Sequence, residues 1–249
     1  DILLTLGDRF EMHSAALAAL PFNIPVAHIH GGEVTQGAID DALRHSLTKL
    51  SHLHFVATDE YARRVVQLGE DPKNTFVTGA PALDNLNTVE LLTRGQLESR
   101  HGLRLAAPPL LITFHPVTLE FENTERYIDQ LLNALADWDM PMVFTLPNAD
   151  TGGRVITKKI AEFVAANAQA QSVDSLGMQG YFSLMAIAAA MVGNSSSGII
   201  ESPSFKLPVV NIGTRQDGRT RAANVIDVGY VKNEIGQGIV RALSLEFGA

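Results

Sequence analysis

The strongest constraint on the fold is a repeated alternation of short apolar runs with longer segments of helical period. The apolar runs are rich in β-branched residues, which is typical of strands buried on both faces of a parallel sheet. The predicted strands cover residues 2–6, 25–29, 53–57, 75–78, 110–114, 142–146, 171–173, 190–192, 209–212 and 225–228. The predicted helices cover residues 9–19, 39–50, 60–68, 124–136, 154–165, 181–189 and 233–245. Because strands and helices alternate, we predict an α/β protein with right-handed crossovers and a doubly wound architecture.

A break in this alternation indicates two domains. Gly79, Ala80 and Pro81 end one series of strands and helices, and a second series begins after Pro109. We therefore predict a Rossmann-like domain over residues 1–88, a linker helix and loop over 89–108, and a nucleotide-binding Rossmann-like domain over 109–249. Two such domains are expected to face each other across a cleft.

Composition excludes several classes of function. Hydrophobic residues make up 46% of the chain and charged residues 18%, which is typical of a globular protein with a large core. The net charge of −8 argues against a nucleic-acid partner, and the absence of cysteine excludes disulfides, thiolate zinc sites and a cysteine nucleophile. No stretch reaches the roughly 20 apolar residues of a membrane span. We expect a cytoplasmic protein with no membrane partner.

A run of three serines after the eighth predicted strand indicates an anion site. The strand breaks at Gly193, and the serines that begin at Ser195 stand where a helix would start. Their hydroxyls can cap that helix while its free N–H groups point outward. Glu201 is expected about two turns further along the helix, and Arg215 follows the next strand. These groups together suggest a nucleotide-sugar diphosphate, and a serine-capped structural helix is the simpler alternative.

Polar and titratable residues recur after successive predicted strands. Ligands of open α/β sheets bind outside the carboxyl ends of the strands, so these positions are the first to consider. The residues that this rule selects are Asp8, His30, Glu33, Asp40, Asp41, Arg44, His45, His115, Asn148, Asp150, Asn194, Ser195, Ser196 and Arg215. A structural protein would not need so many, and the set predicts an active site.

Two simpler interpretations apply to parts of this set. Asp40 and Arg44 stand four residues apart on one helix face and could form an ordinary surface pair. His28, His30 and Glu33 are close enough in sequence for a metal site to be considered. Their spacing is loose and no second histidine pair is evident, so we predict neither a metal nor a cofactor.

The motifs taken together resemble the hydrolysing UDP-N-acetylglucosamine 2-epimerases of the bacterial sialic- and legionaminic-acid pathway type. The matching motifs are GDRFE at residues 7–11, HIHGGE at 28–33, GAIDD at 37–41, RH at 44–45, HPVT at 115–118, PN at 147–148, GNSS at 193–196 and GTR at 213–215. They run in order along nearly the whole chain. The resemblance implies two Rossmann-like domains of glycosyltransferase-B type.

The resemblance also implies a reaction. UDP is eliminated from UDP-N-acetylglucosamine to give a glycal, and water adds to give N-acetylmannosamine. The residues that the resemblance places in catalysis are Asp8, His30, Asp40, Arg44 and His115. Those that it places at the UDP are Asn148, Ser195, Ser196, Glu201 and Arg215. Animal relatives have glutamate where this chain has His30, so the base at sugar C2 stays open between His30, Asp8 and Asp40.

The chain departs from the family pattern at its start. The family begins with further strand–helix units before the GDR strand, so the first domain is expected to be incomplete in this chain and the chain by itself to have little or no activity. The resemblance further implies a homo-oligomer, either a dimer or a tetramer. Three alternatives stay open: the same chemistry on UDP-2,4-diacetamido-2,4,6-trideoxyglucose, a non-hydrolysing epimerase, and a protein that only binds UDP.

Overall fold

The computed structural model describes residues 1–35, 39–147, 152–244 and 247. The chain forms two compact units. The first contains Asp1–Asn87 together with the short segment Asp217–Thr220, and the second contains Thr88–Gln216 and Arg221–Ala249. The chain therefore returns to the first unit for four residues late in the sequence.

The first unit contains a four-stranded parallel sheet. Its strands, which lie side by side in chain order, are β1 (Leu3–Leu6), β2 (Val26–Ile29), β3 (Leu53–Val56) and β4 (Thr75–Val77). The connecting helices are α1 (Phe10–Ala19), α2 (Asp40–Leu50) and α3 (Asp59–Gln67). Because each strand pairs with the next in sequence, right-handed crossovers put all three helices on the same face of the sheet.

The face beneath these helices carries a row of buried polar side chains. Thr5, His28 and His54 are register partners on β1, β2 and β3, and each is fully buried. Thr5 and His28 hydrogen-bond to main-chain carbonyl oxygens at 3.2 and 2.8 Å. His54 donates from Nε2 to the carboxylate of Glu70 at 3.2 Å. Each polar side chain in the row thus has a partner, as burial requires.

The opposite face of the same sheet is apolar. Leu4 and Leu6 on β1 are 60% and 53% exposed, and Phe76 on β4 is 43% exposed. Phe55 stacks on Phe76 with ring centroids 5.5 Å apart. None of the helices described for the first unit lies on this face, given the strand order.

The second unit is a doubly wound sheet with helices on both faces. Its strands are β5 (Leu110–Thr113), β6 (Met142–Thr145), β7 (Ala170–Val173), β8 (Ala190–Gly193), β9 (Val209–Ile212) and β10 (Val225–Val228). Its helices are α4 (Arg94–His101), α5 (Thr124–Leu135), α6 (Gly153–Ala166), α7 (Gly177–Ile187), α8 (Ser197–Ile200) and α9 (Lys232–Ala242). The strands are parallel in the order β10-β9-β8-β5-β6-β7. The chain order reverses between β5 and β8, which is where open α/β sheets bind ligands.

The core of the second unit explains its apolar runs. All four residues of β5, β6, β8 and β9 are buried, and α5, α6 and α9 contribute to the same apolar cluster. Ile112, Phe144 and Val192 at its centre are fully buried. Strands covered on both sides need apolar residues at every position, which is the pattern in the sequence.

Each of the ten predicted strands has a counterpart in the structure, but several helix limits were wrong. The helix α7 begins at Gly177, four residues before the predicted start. The charged helix expected from residue 89 begins at Arg94, where Thr93 and Gln96 form a capping box. The predicted domain limits of 1–88, 89–108 and 109–249 stay a prediction, and α4 groups with the second compact unit.

The helix after the serines is much shorter than expected. It ends at Ile200 and is followed by a 3-10 turn, Ser202–Phe205. Pro203 causes this end, because it has no N–H to donate to the carbonyl of Ile199. Glu201 therefore lies directly after a single helical turn rather than two turns along a helix. None of the helices in the described part of the chain is long and apolar enough to cross a membrane.

Replacing Gly193 with alanine should destabilise the second unit. Gly193 has φ +144°, and a Cβ at this position would overlap the carbonyl oxygen of Thr113 on the neighbouring strand. We expect Gly193→Ala to lower the free energy of unfolding by at least about 3 kcal/mol in urea denaturation. Gly95→Ala is the control, since open space surrounds Gly95 on α4 and alanine favours a helix. Equal stability of the two variants would contradict the prediction.

Candidate active site

In the first unit, a largely buried ion pair joins the turn after β1 to the middle of α2. Asp8 lies in the turn after β1, where Gly7 adopts a positive φ of 78°. Arg44 lies on α2, its side chain is 2% exposed, and its Nη2 donates to the carboxylate of Asp8. The interpretation of Arg44 as half of a surface pair with Asp40 is therefore wrong. Asp40 is the partly exposed first residue of α2.

A second ion cluster lies beside this pair. His30 follows β2 directly and has a positive φ of 67°, which is uncommon for a residue other than glycine. Its Nδ1 lies 2.6 Å from Oε1 of Glu33, whose side chain is only 4% exposed. Oε2 of Glu33 lies 2.9 Å from Nη1 of Arg219 and 3.8 Å from Nη1 of Arg44. Glu33 thus links His30 to the two arginines.

Two buried histidines have strongly lowered pKa values. Burial is the main cause for His28, and the nearby His54 and His30 add to it, so that its pKa falls to about 4 despite the hydrogen bond to Gly7. Burial is also the main cause for His115 in the second unit, where the charge of Arg215 adds to it and the pKa falls to about 3. Both imidazoles are neutral at physiological pH.

In the second unit, one buried amide holds the ends of β5 and β8 together. Asn194 follows β8 and is fully buried. Its Oδ1 accepts a hydrogen bond from the backbone N–H of His115 at 2.7 Å, and its Nδ2 donates to the His115 carbonyl at 2.9 Å. The carbonyl of Asn194 accepts from Arg215 at 3.0 Å and from Gln216 at 2.8 Å. Asn194 therefore brings His115 and Arg215 together at the switch point of the sheet.

The loop that carries Arg215 rests on a tyrosine pair. Tyr230 stacks on Tyr127 with ring centroids 3.5 Å apart and an angle of 4° between the planes. The Tyr230 hydroxyl accepts a hydrogen bond from the backbone N–H of Thr214 at 3.2 Å. The Thr214 hydroxyl in turn donates to Glu120 at 3.1 Å. These contacts fix the backbone at Thr214, the residue before Arg215.

The serines form a hydroxyl network, in which Oγ of Ser195 also accepts a hydrogen bond from the backbone N–H of Ser197, the first residue of α8, at 3.4 Å. Oγ of Ser195 lies 2.9 Å from Oγ of Ser197, which lies 2.7 Å from the Tyr181 hydroxyl. Ser196 occupies the cap position of α8 but makes no side-chain cap bond. Because α8 has only four residues, its dipole is small, and the hydroxyls and Arg215 are the stronger anion donors. Glu201 lies partly buried at the end of this turn.

The sequence-based site set thus divides between the units. Asp8, His30 and Arg44 come together around Glu33, whereas His115 and Arg215 come together around Asn194. Asn148 lies outside the described residues. The roles of all these residues stay predictions. In the described ranges, no group of three or more His, Asp or Glu side chains could hold a metal ion.

Five site residues were missing from the predicted catalytic and UDP-binding set: Glu33, Asn194, Ser197, Arg219 and Tyr181. Glu33 and Asn194 stand inside recognisable motifs, and their position after a strand was the available signal. Arg219 lies far along the chain from the cluster that it completes. No local pattern distinguishes Tyr181 from the other residues of its helix.

Comparison with known proteins identifies the family. The family model described as UDP-N-acetylglucosamine 2-epimerase matches residues 1–248. The chain belongs to this family. The resemblance stated from the motifs is thereby confirmed, and it covers almost the entire chain.

Two curated relatives in the family are similar over nearly the whole chain. The GDP/UDP-N,N'-diacetylbacillosamine 2-epimerase (hydrolyzing) of Campylobacter jejuni is 44% identical over 99% of the chain. The UDP-N,N'-diacetylbacillosamine 2-epimerase (hydrolyzing) of Legionella pneumophila is 38% identical over 98% of it. The chain spans 64% of the length of each of these relatives.

A solved structure of the family shares the fold. The UDP-GlcNAc 2-epimerase of Neisseria meningitidis, bound to UDP-GlcNAc, matches with a TM-score of 0.81 at 20% sequence identity. The match covers 98% of this chain and 69% of that one. The predicted fold class, α/β with Rossmann-like domains of glycosyltransferase-B type, is confirmed.

Replacing Asn194 with aspartate should test the amide between β5 and β8. A carboxylate cannot donate to the His115 carbonyl, and it would be a buried charge beside that oxygen. We expect Asn194→Asp to lower the free energy of unfolding at pH 7 by about 3 kcal/mol in urea denaturation. Asn167→Asp is the control, because the side-chain oxygen of Asn167 only accepts a hydrogen bond, from the N–H of Gln169. A stability loss no larger than that of the control would disprove the role assigned to Asn194.

The buried His28 should make the protein less stable in mild acid. The folded-state pKa of His28, about 4, is lower than its unfolded value near 6.5. Above pH 6.5 the histidine is neutral in both states and does not affect stability. Between pH 6.5 and about 4 only the unfolded chain takes up the proton, so the folded protein becomes less stable as the pH falls. We expect the loss of unfolding free energy between pH 7 and pH 5 to be about 2 kcal/mol smaller in His28→Asn than in the parent. Urea titrations at both pH values measure this, and identical losses would contradict it.

Proposed function

We propose that the protein containing this chain is a hydrolysing 2-epimerase of UDP-activated 2-acetamido sugars. In this reaction a base takes the proton from sugar C2, the C1=C2 double bond forms, and the C1–oxygen bond to the diphosphate breaks. Water then adds across the double bond, so that UDP and the free 2-epimer of the sugar are released. In this proposal the UDP-sugar is the substrate of the protein and not a regulatory ligand.

The observation that carries the proposal is the division of chemistry between the two units of a chain in this family. Elimination of a diphosphate needs proton transfer at C2 and stabilisation of the departing anion. The first unit collects proton-transfer groups around Glu33. The second collects anion donors, namely Arg215 and the Ser195 and Ser197 hydroxyls, around the switch point of its sheet.

Among the three candidate bases, His30 is the one we propose for the C2 proton. Asp8 is bonded to the Arg44 guanidinium, and an opposite charge so close makes a carboxylate a weak base. His30 is bonded through Nδ1 to a carboxylate, which leaves Nε2 as the basic atom. Asp40, partly exposed at the start of α2, is proposed to serve the second proton transfer, in which water adds.

The proposed sugar is the 2,4-diacetamido-2,4,6-trideoxy one. Both curated relatives described above carry the name of a diacetylbacillosamine 2-epimerase with the qualifier "hydrolyzing". UDP-N-acetylglucosamine is the second candidate, because the family model is described by that substrate. The two sugars differ at C4 and C6, where hydrogen bonds and apolar contacts decide specificity.

The test is to incubate the full-length protein with each UDP-sugar and to identify the products. We expect free UDP and a free 2-epimerised sugar, with kcat/KM at least about 10²-fold higher for the diacetamido sugar. Asp40→Asn should lower kcat about 10³-fold while UDP still binds, and Asp8→Asn should do the same because it removes the carboxylate that pairs with the buried Arg44.

Asp71→Asn is the matched control. Asp71 is exposed and caps a 3-10 turn through Oδ1, a bond that asparagine can also make. The Asp71→Asn substitution should leave both kcat and KM unchanged. A UDP-sugar as product, without free sugar, would show a non-hydrolysing epimerase. UDP binding without turnover of either sugar, unaltered in Asp8→Asn, would overturn the enzymatic reading.

A further inference from the structure

The bond between His30 and Glu33 determines which ring nitrogen carries the proton. An ionised carboxylate has no hydrogen to donate, so Nδ1 of His30 is the donor across the 2.6 Å contact. In the neutral imidazole, Nε2 then holds the lone pair. The His30 side chain is 18% exposed, whereas that of Glu33 is 4% exposed. The ring therefore reaches solvent while its carboxylate partner does not.

The ring is also held in an uncommon backbone conformation. His30 has a φ of 67°, and its N–H donates to the carbonyl of Phe55 at 3.0 Å, which fixes the turn at the end of β2. Left-handed backbone at a bulky residue costs free energy and is concentrated at functional sites. The turn points the imidazole towards Glu33, three residues later in the chain.

Arg219 compensates the buried charge of Glu33. The Arg219 side chain is 8% exposed and its Nη1 lies 2.9 Å from Oε2 of Glu33. Burial alone would raise the pKa of Glu33, but the hydrogen bond from His30 and the charge of Arg219 lower it below the ordinary value. The carboxylate is therefore ionised at neutral pH and remains an acceptor.

The segment that supplies Arg219 is fastened to the first unit by its neighbour. The backbone N–H of Thr220 donates to the Tyr61 hydroxyl at 3.1 Å, and the Thr220 hydroxyl donates to Glu60 at 2.8 Å. Arg219 also lies within 3.4 Å of the Thr35 hydroxyl. These contacts explain why four residues from late in the chain group with the first unit.

We infer that Glu33 and Arg219 are positioning residues that lock His30 in the tautomer with its Nε2 lone pair directed outward. The inference rests on the proposed function, in which Nε2 takes the proton from sugar C2. The C–H electrons become the C1=C2 double bond, and the diphosphate leaves with the electrons of the C1–oxygen bond. The opposite tautomer would present an N–H to the sugar and could not act as the base.

The decisive variant is Glu33→Gln. Arg219 can only donate, so the new amide turns its oxygen to Arg219 and its NH₂ group to His30. Nδ1 must then accept, and the proton moves to Nε2. This is a reversal of the tautomer without a large change in shape, comparable to the effect of amidating the buried carboxylate of a catalytic triad.

The experiment uses the full-length protein labelled with ¹⁵N-histidine. NMR distinguishes protonated from unprotonated ring nitrogens, and the spectrum of His30→Gln identifies the His30 signals. We expect protonated Nδ1 in the parent and in Glu33→Asp, and protonated Nε2 in Glu33→Gln. With the UDP-sugar that the parent protein converts as the substrate, Glu33→Gln should lower kcat about 10³-fold with little change in KM.

Glu70→Gln is the matched control, because Glu70 forms the other described His–Glu pair in the first unit, with the buried His54. It should leave the His30 signals and kcat unchanged. Arg219→Lys retains the positive charge and should retain the parent tautomer with a smaller loss of kcat.

The spectra separate failure of the inference from failure of the proposed function. A parent with Nε2 protonated, or a folded Glu33→Gln variant with Nδ1 still protonated, would overturn the inference whatever the activity. Circular dichroism and thermal unfolding show whether each variant folds. If Glu33→Gln does not fold, loss of the Nδ1 proton in Glu33→Asp would overturn the inference instead. The expected tautomers in a protein that turns over neither UDP-sugar would support the positioning of His30 and reject the proposed reaction.

Discussion

Parallel strands present all of their carboxyl ends at one edge of the sheet, and the functional groups of both units depend on this constraint. At that edge the backbone leaves the sheet, and its freed N–H and C=O groups need new partners. In the second unit the Asn194 amide satisfies both backbone groups of His115 and so joins two strands that are distant in sequence. In the first unit the carbonyl of Gly7 is satisfied by the ring of His28. The side chains that complete the backbone hydrogen bonding thus lie directly beside the candidate catalytic groups.

The two units carry different electrostatic environments. Around Glu33, two carboxylates are matched by two guanidinium groups, those of Arg44 and Arg219, so that the buried charges compensate one another. Around Asn194 the guanidinium of Arg215 has a neutral imidazole as its neighbour, because burial and the arginine itself suppress protonation of His115. Compensated charges suit proton transfer, whereas a guanidinium beside a neutral imidazole can donate hydrogen bonds to an anion.

Much of the fold follows from local sequence, and part of the site does not. The ten strands were predictable because buried parallel strands require continuous apolar runs, and Asp8, His30, Arg44 and His115 were identifiable from their places after those strands. The short length of α8 was also predictable from the sequence, because Pro203 cannot donate the next helical hydrogen bond. The role of Arg219 was not predictable in this way. Its partner Glu33 lies 186 residues earlier in the chain, and only the return of residues 217–220 to the first unit brings the two together.

In the sheet of the first unit, the polar row beneath the helices lies between apolar residues of the same face, namely Leu3, Val26 and Val56, which pack against the helices. Side chains of a strand alternate between faces, so a slip of β1 by one residue would move Leu4 and Leu6 under the helices, and Leu3 and Thr5 to the opposite face. Apolar burial by itself therefore gives the native alignment of β1 little advantage. The hydrogen bonds of Thr5 and His28 to main-chain carbonyl oxygens favour the native alignment, because the slip would break them. Correct folding of this unit thus depends on directional hydrogen bonds as well as on apolar burial, and the polar groups beside the candidate catalytic residues also help to select the strand alignment.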